Sequence, residues 1–155
     1  MPRGLTMLGC LLLASGWLGL AGLPMAGAVA EDLPAAGSSP SPQALIQSAH
    51  LKSQTAGETR DFAEIVYLLD RALSSDSLLP SHQQYAQRLK GWAHNRLGER
   101  LVKGGRDAAA LGQFELAVKL NPDHWKARHN RGVSYAIAGQ HKQALADFKA
   151  VIRIR

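Results

Sequence analysis

The chain has 155 residues, 46% of them apolar and 19% charged, with a formal net charge of +6. This composition fits one modest globular domain and excludes a chain that is fibrous or disordered throughout. A lone cysteine, Cys10, leaves no partner for an internal disulfide and no Cys-based zinc set.

Between Met1 and Ala30 the only charged side chain is Arg3. Arg3 provides a short positive start, Leu8 to Leu20 an apolar centre of 13 residues, and Pro24 breaks any helix ahead of the small residues Ala28 and Ala30. This layout predicts a secretory signal peptide over residues 1–30, cleaved before Glu31, and therefore an exported protein, periplasmic or secreted. The apolar centre is shorter than the roughly 20 residues of a spanning helix, so no stable membrane span is expected after cleavage. Cys10 would leave with this segment, and thiolate chemistry with it. Residues 31–43 are small and Pro-rich, including Pro34, Pro40 and Pro42, and predict a flexible linker.

From Gln43 onward apolar residues recur at intervals of three and four, without alternating β-branched runs, which predicts an all-α chain. A first helix is expected from Gln43 to about Gln54, with Ala56-Gly57 as a turn. A second follows over Phe62–Leu73, where Phe62, Ile65, Leu69, Ala72 and Leu73 share one face. Residues 44–80 thus make either a degenerate repeat or a capping hairpin. A longer helix is expected from Ser81, as N-cap, to about Lys103, with Tyr85, Leu89, Trp92 and Leu101 on its apolar side and Gly91 as its weak point. Charge divides along the chain: residues 31–87 carry three basic and seven acidic side chains, residues 88–155 fourteen basic and five acidic.

The C-terminal part repeats itself at an offset of 34 residues. Gly98 pairs with Gly132, Leu101 with Tyr135, Gly105 with Gly139, Ala110 with Ala144 and Phe114 with Phe148. Each type has a physical task in a pair of antiparallel helices. Gly98 and Gly132 permit close approach of the facing helix, with Ala110 and Ala144 as their small partners. Gly105 and Gly139 suit the left-handed conformation that ends a helix. Phe114 and Phe148 would fill the space between helices, and Asn121-Pro122-Asp123 would close the unit.

Leu97-Gly98-x2-Leu101, Ala110-x3-Phe114 and Pro122, followed by Gly132-x2-Tyr135 and Ala144-x3-Phe148, resemble the tetratricopeptide repeat pattern. The resemblance covers one repeat over residues 91–124 and a second over 125–155, within a repeat region of residues 81–155. His94 and Arg128 stand where the family's usual tryptophan would be, and Arg131 replaces the leucine before glycine. The resemblance implies helix-turn-helix repeats stacked as a short α-solenoid. It also implies a protein-protein interaction module that binds a partner segment in a groove lined by the first helix of each repeat.

By that register the groove faces are Trp92, Asn95, Arg96, Glu99 and Lys103 in one repeat and Lys126, His129, Asn130, Val133 and Ile137 in the next. Asn95, Arg96, Lys126, His129 and Asn130 are the candidate partner-binding residues. An asparagine amide can both donate to and accept from a peptide backbone, and Arg96 and Lys126 could hold a carboxylate. The partner expected is a protein or peptide. An anionic polymer is a second class that the basic half would attract, while export argues against nucleic acid. His124 and His129 are five apart, a poor helical spacing for a metal, and no nucleophile elbow, phosphate loop or dinucleotide fingerprint is present. No enzymatic activity, cofactor or metal is therefore expected. The alternative is a structural N-terminal part of a longer exported repeat array or enzyme.

Overall fold

The structure, a computed structural model, describes residues 39–155; the expected signal peptide and most of the expected linker lie outside the described residues. The described residues form six helices and no strand: α1 (Pro42–Thr55), α2 (Thr59–Leu73), α3 (Pro80–Lys103), α4 (Asp107–Leu120), α5 (Trp125–Ile137) and α6 (His141–Ile154). Consecutive helices pack as antiparallel hairpins, and the hairpins stack as a short α-solenoid.

The ends of these helices follow local chemistry. Ser41 caps α1, its hydroxyl accepting from the Ala44 amide at 3.2 Å, so the helix begins at Pro42, inside the expected linker. In α2 the Asp61 carboxylate accepts from the Glu58 and Gly57 amides at 2.9 and 3.1 Å, and these two bonds hold its pKa below the usual carboxylate value. α3 begins one residue before Ser81: Leu79 is its cap and Pro80 its first helical residue. Proline, whose fixed φ and missing N–H suit that position, overrides the serine signal. α5 begins only at Trp125, so Pro122 lies in the preceding turn, and His124 caps the helix by accepting from the Ala127 amide at 3.3 Å.

Gly105 and Gly139 have φ of 69° and 73°, and each closes the same C-terminal motif. The Arg106 amide donates to the Leu101 carbonyl at 2.9 Å, and the Gln140 amide to the Tyr135 carbonyl at 2.8 Å.

Two cores result. One gathers Leu45, Ile46, Ala49, Phe62, Ile65, Leu69 and Ala72 from the first hairpin with Ala86 and Ala93 of α3. The other places Ala117 and Val118 of α4 against Ala127 of α5. The expected pairing of Gly98 with Ala110 and of Gly132 with Ala144 is corrected. The group that uses each glycine's missing Cβ is the phenylalanine ring one turn on, Phe114 and Phe148. Gly91 is no weak point either, because a Cβ there would lie 3.0 Å from the Ala117 carbonyl oxygen; glycine lets α4 approach.

Candidate functional site: the groove between α3 and α5

The last turns of α3 and most of α5 diverge around a cleft of about 360 Å³. Its apolar lining comes from Val102, Phe114, Val133 and Ile137, and its polar lining from Glu99, Lys103, Asp107, His129, Asn130 and Ser134. Val133 and Ile137 are four apart on α5, one turn on the same face, and both are exposed. Phe114 reaches this cleft from α4 because Gly98 leaves room for its ring.

Glu99 organises the polar side. Its Oε1 accepts from the Asn95 amide nitrogen at 2.8 Å and from that of Asn130 at 3.4 Å, while its Oε2 accepts from Arg96 at 2.7 Å. The Asn130 amide nitrogen also donates to the Asn95 carbonyl oxygen at 3.0 Å. One carboxylate and two amides thus tie α3 to α5, across 31 and 35 residues of sequence.

The five candidate residues therefore separate. His129 and Asn130 line the cleft. Asn95 is 1% exposed and spends its amide on Glu99 and Asn130, so it positions its neighbours and presents no group to a peptide. Arg96 is exposed, but its guanidinium is paired with Glu99 and lies over the Phe62 ring, 5.6 Å from the centroid. Lys126 projects over the Trp125 ring at 5.5 Å, away from the cleft lining. The register also named Glu99, Lys103, Val133 and Ile137, all of which line the cleft, and Trp92, which lines a neighbouring one.

That second cleft, of about 490 Å³, is bounded by Tyr85, Arg88, Leu89 and Trp92 of α3 with Asn121 and His124. Sequence spacing did not mark Arg88 or His124 as cleft residues: Arg88 lies in the turns that α3 adds ahead of the first repeat, and His124 is the cap that precedes α5. Val102 and Ser134 were also missed; Val102 follows Glu99 by three positions, which a wider helical face would have included. Burial lowers the pKa of His124 below the ordinary imidazole value, and burial does the same at His94, against the opposing hydrogen bond of its Nδ1 to Gln113 Oε1 at 2.8 Å. Among the described residues no group of three or more His, Cys, Asp or Glu side chains is placed to hold a metal ion. No described helix is long and apolar enough to cross a membrane.

No protein-family profile matches the chain. Over 62 residues it is 37% identical to DnaJ homolog subfamily C member 3 of Homo sapiens, and equally so to the Bos taurus and Rattus norvegicus proteins. The match takes in 40% of this chain and 12% of each relative, so the chain spans a small part of the length of the curated proteins it matches. Among solved structures it is similar to MamA, with a TM-score of 0.42 at 18% identity over 74% of this chain and 58% of that one. It is also similar to the second TPR of Spaghetti (RPAP3) bound to an HSP90 peptide, with a TM-score of 0.43 at 14% identity over 74% of this chain and 92% of that one.

Proposed function

We propose that this protein is an interaction module that binds a segment of a partner protein in the groove between α3 and α5. The observation that carries this reading is the cleft itself. An apolar floor of Val102, Phe114, Val133 and Ile137 lies beside a fixed polar wall of Glu99 and Asn130. The floor suits an apolar side chain of the partner, whose burial would supply most of the affinity. Asn130 already commits its amide nitrogen to Asn95 and Glu99, which leaves its carbonyl oxygen as the acceptor for a partner backbone N–H. The wall is pre-formed, so little ordering entropy opposes binding.

Panning a random peptide library against the full chain tests the reading. Selected peptides should carry an apolar anchor and should lose binding to Val133→Asp and Ile137→Asp variants. Peptides that bound these variants as well as the original chain would refute the assignment to this groove.

We propose further that the protein acts outside the cytosol, as the layout of residues 1–30 suggests. N-terminal sequencing of the protein recovered from its host should begin at Glu31; a chain that retained Met1 would refute cleavage there.

A further inference from the structure

The contact between α4 and α5 is a template for the outer face of α6, because α4 and α6 occupy equivalent places in the 34-residue repeat. On α4, Val118 is 5% exposed and packs with Ala127 of α5. Leu111 and Ala108 lie across a small cleft from Ser134 and Ile137 of α5. Glu115 accepts a hydrogen bond from the Tyr135 hydroxyl of α5 at 2.9 Å. The equivalent α6 residues are Ile152, Leu145, Lys142 and Lys149. Ile152 is 77% and Leu145 54% exposed.

The two large apolar positions keep their character, while the acidic one changes sign and the alanine gives way to a cation. Glu115, which receives a donor, becomes Lys149, and Ala108 becomes Lys142. Arg153 adds a third cation beside Lys149 and Ile152, and the three line a shallow depression. The sole acid of α6, Asp147, is buried and paired with Arg131, so no exposed carboxylate on this helix offsets the lysines. A helix built like α5 would fit the apolar seam but would place Tyr135 and Arg131 equivalents, both donors, against Lys149.

We propose that the outer face of α6 is a second docking surface, and that its occupant is an acidic amphipathic helix of a partner protein. That helix would lie on α6 as α5 lies on α4, a small or aliphatic residue on Ile152 and carboxylates opposite Lys142, Lys149 and Arg153. Leu145 and Ile152, seven apart, set two anchors on one face, and the flanking cations select the acidic partner and fix its register. This surface is distinct from the groove between α3 and α5 and stands without it.

The test uses the full chain and two synthetic amphipathic helices with the same alanine-leucine seam, one flanked by glutamates and the other by lysines, followed by fluorescence anisotropy. The acidic probe should bind at least about tenfold more tightly, and less so as salt rises. Lys149→Glu should shrink the preference and Ile152→Asp should abolish binding of both probes; circular dichroism should be unchanged, since both side chains are exposed. Equal affinity for the two probes, or a preference indifferent to Lys149→Glu, overturns the proposal. So does tighter binding to phosphatidylglycerol vesicles than to the acidic helix, or self-association in sedimentation that Ile152→Asp removes.

Discussion

The ring of Phe114 fills the space where a Cβ on Gly98 would stand, with Cδ1 only 2.7 Å from that position. A phenyl ring cannot bend out of the way, and Phe114 is almost wholly buried. Gly98→Ala should therefore destabilise the fold by about 1–3 kcal/mol, although alanine is the better helix former. Gly132→Ala should cost less, because the Phe148 ring is only partly buried and its nearest atom would lie 2.8 Å away. Urea unfolding of the two variants checks the order; equal losses would show that ring burial does not set the cost.

A second expectation concerns Asp147, 3% exposed, whose carboxylate accepts two bonds from Arg131 at 2.7 Å each and faces Arg128 at 3.6 Å. The first repeat holds His94, Leu97 and Gln113 at the equivalent positions. Asp147→Ala should cost about 3 kcal/mol, because it strands partly buried cations. The triple change Arg128→His, Arg131→Leu and Asp147→Gln should stay within about 1 kcal/mol of the original, importing a neutral solution the chain already uses. Thermal denaturation of both variants decides it.

Asn95 and Asn130 should be energetically coupled. A double-mutant cycle with alanine at both positions is expected to give an interaction energy of about 0.5–1.5 kcal/mol in stability. In peptide binding, Asn130→Ala should act directly on affinity. Asn95→Ala should act only as far as it loosens Asn130 and Glu99, which the same cycle run on affinity would show as a non-additive pair.

Acid should weaken the fold near neutrality. His94 and His124 are held below their ordinary value of 6.5 by burial, so around that pH the unfolded chain binds protons that the folded chain does not. Their contribution is complete above about pH 6.5 and is lost as pH falls below it. The melting temperature should drop between about pH 7.5 and about pH 5. The drop should be smaller in a His94→Gln, His124→Asn variant, where asparagine still caps α5. An identical drop would assign the effect to other groups.

Much of the fold was legible because backbone geometry leaves marks one residue wide. Gly105 and Gly139 announced the helix ends, and the recurrence of Gly98 and Phe114 at 132 and 148 announced the hairpins. The site was legible where helical spacing holds, in Glu99 and Lys103 on α3 and in His129, Asn130, Val133 and Ile137 on α5. Asn95, expected in the groove by its helical register, is buried and bonded to Asn130, 35 residues away, and sequence spacing within one helix carries no trace of such a partner. Arg131, a departure from the repeat pattern in sequence, is explained by Asp147 for the same reason: the compensating charge sits on another helix.

The 24 residues of α3 make a rod of about 36 Å. Ala86 and Ala93 of this rod belong to the core of the first hairpin, while Gly91 and Gly98 of the same uninterrupted helix receive α4. Melting either end would strip packing from the other, with no loop between to absorb the loss. Such a shaft makes the first two hairpins share one fate: α1 to α4 would open as one cooperative unit instead of fraying hairpin by hairpin, and a partner that clamps one end would slow the opening of both.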